Sequence, residues 1–175
     1  PGRAYVGADM QPGPGVDALL DLHAIALPDG SAGAVRCLDT LEHVEHPRRA
    51  LGEIRRILAP GGWALIASVM QFPIHDHPHD YWRFTPEALR SLLAPFDGIM
   101  VASAGDPAFP HTVVGLGFAG DAPNLAAFGD ALAGWQRRHR LPRDGPWYRR
   151  AATLLAPPLI APALARAGRA LRRQG

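Results

Sequence analysis

The stretch from Pro47 to Met70 constrains the fold more than any other part of the chain. Its first half places Ala50, Leu51, Ile54, Ile57 and Leu58 at a period of about 3.6 residues, with Arg48, Arg49, Glu53, Arg55 and Arg56 on the opposite side. Pro47 supplies the fixed φ that suits a first helical turn. Pro60-Gly61-Gly62 ends that helix, and Trp63 to Met70 is almost continuously apolar, which predicts a central parallel strand covered on both faces. Ahead of the helix, Ala34 to Leu38 reads as another strand. Strand, helix and strand joined by short turns form a βαβ unit, so the fold class is α/β.

The flanks extend this pattern. Ala4 to Ala8 predicts a short buried strand ending at Asp9, and Val16 to Leu20 a weaker one ending at Asp21. Leu27–Ser31 (LPDGS) is a turn signal. Thr85 as N-cap and Pro86 after it predict a helix to about Leu93. Gly98–Ala102 and Thr112–Leu116 are expected as antiparallel edge strands, residues 121–134 as a helix, and 135–175 as an Arg/Ala/Pro-rich extension.

Composition narrows the function classes. Hydrophobic residues are 47% and charged residues 19%, a globular balance. All 18 basic residues are arginine, which excludes a lysine Schiff base or a P-loop lysine. The single cysteine, Cys37, excludes an intramolecular disulfide or a cysteine-based zinc cluster and suits a reducing, cytoplasmic setting. The longest apolar stretch, Ala151 to Ala165, holds three prolines and is shorter than the about 20 residues a spanning helix needs, so no transmembrane segment is expected. Charge is lopsided: residues 1–100 hold 8 Arg against 12 acids, and residues 101–175 hold 10 Arg against 4 acids. The basic tail reads as a solvated extension with weak contact to anionic surfaces, and nucleic acid is not the expected partner.

The segments YVGADM (5–10), DLHAIALPDGSAGAVRCLDTLEHV (21–44), HPRRALGEIRRILAPGGWALIASV (46–69) and DYWRFTPEALRSLL (80–93) together resemble the class I S-adenosylmethionine-dependent methyltransferases, in particular the small-molecule branch. The resemblance implies a Rossmann-like, doubly wound, mostly parallel sheet, with a partial methyltransferase domain over 1–120 and a mainly helical extension over 121–175. It also implies S-adenosylmethionine as cofactor and a small-molecule acceptor. Asp9, with Met10 beside it, stands where the family holds the ribose hydroxyls, Asp21 and Leu22 where it holds adenine, and Cys37 and Leu38 where a strand passes beneath the transferred methyl. Asp39 and His43 are the candidate catalytic bases. His75, His79, Tyr81, Trp82 and Arg83 are assigned to a lid over the acceptor pocket.

Three further patterns compete with that assignment. Asp39, Glu42 and His43 are similar to the magnesium motif of plant small-RNA 2′-O-methyltransferases, and the alternation of His75, His77 and His79 invites a zinc reading. No metal is expected at either. Gly115 to Gly120 satisfies G-x-G-x-x-G, but no acid follows at the right distance, so it is expected to be a glycine-rich strand end. The family's glycine-rich cofactor loop would lie ahead of Ala4, where only Pro1, Gly2 and Arg3 stand. On this reading the chain is expected to be a truncated form that binds the cofactor weakly. The alternatives are a non-catalytic interaction module of the same fold, or a methyltransferase acting on nucleic acid.

Overall fold

In the computed structural model of the chain, residues 5–75, 79–106, 108–123 and 125–139 are described. The expected Arg/Ala/Pro-rich segment therefore lies almost wholly outside the described residues, as does His77. Strands β1 (Ala8–Asp9) and β2 (Ala18–Leu19) form a parallel pair. Strands β3 (Ala32–Leu38), β4 (Leu58–Val69), β5 (Gly98–Asp106) and β6 (Phe109–Phe118) form a second sheet in the order β3-β4-β6-β5. β3 and β4 run parallel, while β6 is antiparallel to both β4 and β5. Helices α1 (Pro47–Ile57), α2 (Pro86–Leu92) and α3 (Ala126–His139) complete an α/β fold.

Helix α1 joins β3 to β4, as its periodicity requires, and buries Ala50, Leu51, Ile54 and Ile57. Its polar side is also put to use. Arg56 donates to Glu53, to Asp29 and to the carbonyls of Ile25 and Leu27, while Glu53 accepts the Ile25 N–H at 2.9 Å. These bonds fasten the LPDGS turn to the helix, where Gly30 adopts φ +65° and donates to the Arg56 carbonyl. Helix α2 starts as predicted, with the Thr85 hydroxyl accepting the Ala88 N–H at 3.0 Å.

Three expectations need correction. Among the described residues the first strand is Ala8–Asp9, whereas the sequence predicts Ala4–Ala8, because its pairing with β2 reaches only two residues. Strand β4 is fully buried through Ala64, Ile66 and Ser68, whereas Trp63, Leu65 and Ala67 on its other face are half-buried. That second face is therefore less completely covered than a continuous apolar run suggests. The last described helix spans Ala126–His139 rather than 121–134, since Pro123 disfavours helical backbone at the residue before it. This helix packs on β5, with the Gln136 amide donating to the Ser103 carbonyl at 2.8 Å.

The first two glycines of the G-x-G-x-x-G run, Gly115 and Gly117, lie on β6, between β4 and β5, and Gly120 follows the strand. A Cβ at Gly115 would stand 2.5 Å from Leu93 Cδ1, and one at Gly117 2.4 Å from Phe96 Cδ1. These glycines let the α2 segment approach the sheet. They form no cofactor loop.

Candidate functional site

Three of the acids singled out in the sequence stand at or just beyond the C-terminal ends of parallel strands, where ligands of open α/β sheets bind. Asp9 ends β1, Asp21 follows β2, and Asp39 follows β3. Asp9 is exposed: its Oδ1 accepts the Gln11 N–H at 2.9 Å, and its second oxygen carries no hydrogen bond among the described residues. Asp21 Oδ1 accepts both the backbone N–H and the ring Nδ1–H of His23, each at 2.8 Å. The backbone bond, aided by the ring contact, holds this carboxyl below its ordinary range.

The flanking apolar residues divide. Met10 is exposed, Leu38 is half-exposed, and Leu22 packs against the core. Cys37 is 5% exposed, and burial pushes its thiol up to about 12. Only its backbone can meet a ligand. Asp39 adopts φ +48°, the left-handed region that is strained for a residue with a side chain. Its N–H donates to the Ala67 carbonyl at 2.9 Å, which ties the bend to β4.

The second part of the site is built where a 3-10 turn (Leu41–His43) meets the segment from Phe72 to Phe84. The Glu42 carbonyl accepts the N–H groups of Tyr81 and Trp82, and the Trp82 indole N–H donates to the Val44 carbonyl at 3.0 Å. Arg83 spends all five guanidinium N–H groups nearby: two on Asp80 and one each on the carbonyls of Phe72, Pro73 and Trp82. It straps the two ends of the segment together and leaves no donor for an acceptor molecule. The Asp80 side chain is 2% exposed, and the Arg83 guanidinium holds it well below the usual carboxylate range. Tyr81 and Trp82 are half-exposed, and the Tyr81 hydroxyl lies 3.1 Å from His79 Nδ1.

This packing brings His43 and His75 together, with their Nε2 atoms 3.0 Å apart. Beneath them, Glu42 is fully buried and accepts the Ser68 hydroxyl at 2.6 Å. Glu42, His43 and His75 each offer one ligating atom within 4.8 Å of the others. Asp39, first residue of the acid-rich run, is not in this group among the described residues. Ser68 and Asp80 complete the arrangement, and neither stood out in the sequence as a site residue. Ser68 meets Glu42 across 26 residues, where no spacing rule connects them, whereas Arg83 and His75, the partners of Asp80, lie in its own segment.

Residues 9–66 match the sequence profile of the family described as "Methyltransferase domain". That match covers about a third of the chain. The matched segment runs from the end of β1 into β4 and includes Asp9, Asp21, Asp39, Glu42 and His43. The fold agrees. A Thermotoga maritima structure described as a SAM-dependent methyltransferase, possible histamine N-methyltransferase, is 21% identical with a TM-score of 0.50, covering 60% of this chain and 65% of that one. A SAM-dependent methyltransferase from Aquifex aeolicus is 17% identical with a TM-score of 0.44, covering 61% of this chain and 56% of that one. A Streptomyces fradiae protein of transposon Tn4556, described as uncharacterized and of 37.1 kDa, is 48% identical over 42 residues. That match spans 24% of this chain and 12% of the other, so it covers only a small part of that relative's length.

Proposed function

We propose that the chain takes part in S-adenosylmethionine-dependent methyl transfer to a small-molecule acceptor. The carrying observation is Asp9, an exposed carboxylate at a strand's C-terminal end whose second oxygen has no hydrogen bond among the described residues. One carboxylate with a spare oxygen can accept from vicinal hydroxyls of a ribose. Asp21 fits a purine amine in the same way, since His23 occupies Oδ1 and fixes the carboxylate's orientation. When bound, S-adenosylmethionine supplies a methyl group on a sulfonium, and its transfer depends chiefly on positioning.

The chain's own contribution is alignment and proton removal. The strained bend at Asp39 exposes Leu38 and places a carboxylate beyond β3. Asp39 is the first candidate to take a proton from a hydroxyl or ammonium acceptor. His43 is the second. Its Nδ1 donates to the His79 carbonyl at 2.7 Å, so in the neutral ring Nε2 is the basic atom. Tyr81 and Trp82, half-exposed beside His79, suit a flat or small acceptor. The acid excess of residues 1–100 argues against a polyanionic one.

Saturation-transfer NMR with S-adenosylhomocysteine tests the reading, because it detects weak binding. Asp9→Ala and Asp21→Ala are each expected to weaken binding by about 10- to 100-fold, the size of a hydrogen bond to a charged group. Equal saturation in wild type and both variants would refute the assignment.

A further inference from the structure

Two facing imidazoles and a buried carboxylate call for something between them. His43 Nδ1 lies 2.7 Å from the His79 carbonyl, and His75 Nδ1 lies 3.2 Å from both the Pro73 carbonyl and Asp80 Oδ2. A carbonyl or carboxylate oxygen can only accept, so each ring carries its proton on Nδ1. In neutral rings the two Nε2 atoms then face each other, lone pair to lone pair, at 3.0 Å. That contact is repulsive between neutral rings, and either a proton held between the two Nε2 atoms or a metal cation beside them relieves it.

Glu42 adds an independent sign. It is fully buried, its Oε2 is committed to the Ser68 hydroxyl, and its Oε1 has no hydrogen-bond partner among the described residues. A buried carboxylate oxygen without a partner is costly. The nearby Arg83 cannot serve it, because its five N–H groups are spent on Asp80 and on backbone carbonyls.

Against the expectation of no metal from the sequence, we infer that Glu42, His43 and His75 form a binding site for a divalent transition-metal ion. The donor set selects the ion's class: two imidazoles and one carboxylate suit zinc, cobalt or iron(II), whereas magnesium prefers oxygen ligands. Bonds of about 2.0–2.1 Å to a tetrahedral ion set its ligand atoms about 3.3 Å apart, so the imidazoles need to part only slightly. The outer contacts are those a metal-binding histidine uses, with Asp80 on His75 Nδ1 and a carbonyl on His43 Nδ1. Three protein ligands leave a coordination position open. Both histidines are half-buried, so the site is reachable. This goes beyond the proposed function: with the ion in place His43 is a ligand, an acceptor hydroxyl can occupy the open position, and proton removal falls to Asp39.

The test uses protein without a histidine tag. Cobalt(II) is titrated and followed by its visible ligand-field absorption, with zinc competing and melting temperature recorded alongside. One cobalt per chain is expected, displaced by zinc, with thermal stabilisation by either ion. Glu42→Gln, which keeps an oxygen for Ser68, and His75→Ala should each weaken binding at least about tenfold, as should Asp80→Asn through His75. Arg90→Ala, on the exposed side of α2 and away from both sites, should leave cobalt binding unchanged. Absence of stoichiometric cobalt binding, binding indifferent to Glu42→Gln and His75→Ala, or a response to magnesium alone would overturn the assignment. Since Asp9 and Asp21 are untouched, S-adenosylhomocysteine binding by these variants reports separately on the cofactor site.

Discussion

Replacing Gly117 by alanine separates a packing role from a cofactor role for the G-x-G-x-x-G run. The new Cβ would lie 2.4 Å from Phe96 Cδ1 and 2.6 Å from Cγ, whereas ordinary contact begins near 3.4 Å. A gap of this size needs the ring or the strand to move by about an ångström, in an interior packed as tightly as a crystal. Phe96 has little room, being 6% exposed with its N–H bonded to the Leu93 carbonyl at 3.0 Å. Overpacking costs about 1–3 kcal/mol, and removing a strand glycine returns about 0.5–1 kcal/mol of backbone entropy. The net is a loss of up to about 2.5 kcal/mol, or up to roughly 10 °C in melting temperature for a chain of this size. Circular-dichroism melts of Gly117→Ala, Phe96→Leu and the double variant measure it as a cycle. In the Phe96→Leu background the alanine should cost little, because the smaller side chain leaves space for it. An equal penalty in both backgrounds would refute the packing account. So would unchanged melting together with lost S-adenosylhomocysteine binding, the signature of a cofactor loop.

Thr85→Ala should destabilise the protein by about 1 kcal/mol in urea denaturation, because it removes the cap on the Ala88 N–H, and Thr85→Ser should restore most of it. Cys37 should resist iodoacetamide at pH 8 in the native protein and react once urea unfolds it. From pH 9 to about 12 only the unfolded chain loses this proton, so stability should fall with rising pH in wild type and less steeply in Cys37→Ala. Asp80 behaves in the opposite sense: Arg83 lowers its carboxyl, so its stabilisation is present above the usual carboxylate range and is lost as pH falls through and below that range. Melts between pH 5 and pH 2.5 should show a shallower acid loss in Asp80→Asn than in wild type, from a lower starting stability. Parallel curves would remove Asp80 from the strap.

The sequence was most informative where one local rule decides the outcome. Helix α1 follows from its periodicity, the start of α2 from Thr85-Pro86, and the antiparallel strands β5 and β6 from apolar runs between turns, although β6, expected at an edge, lies between β4 and β5. Local rules failed where a distant partner decides. The length of β1 depends on what pairs with it, and the cover on β4's second face depends on elements far away in the chain. At the site, the acids at strand ends could be read from strand-then-Asp patterns. The alternating histidines could be noticed but not sorted. Their spacing does not say that His75 meets His43, 32 residues earlier, while His79 offers that residue its carbonyl.

Glu42 shows why such a site escapes a linear reading. Its carbonyl receives Tyr81 and Trp82, its Oε2 receives Ser68 from β4, and its neighbour His43 faces His75. One residue therefore couples the 3-10 turn, the central strand and the strapped segment. The strap is held at both ends, by Phe84 N–H on the Val69 carbonyl and by Arg83 on the carbonyls of Phe72 and Pro73. His75 is thus positioned by a closed hydrogen-bonded frame, and its imidazole needs no loop closure to reach His43. Asp39 stands outside this frame, exposed at a strained bend. A frame that fixes two imidazoles and a carboxylate, beside an unframed carboxylate, divides the labour physically: the fixed donors suit holding a cation, and the exposed acid suits exchanging protons with whatever enters.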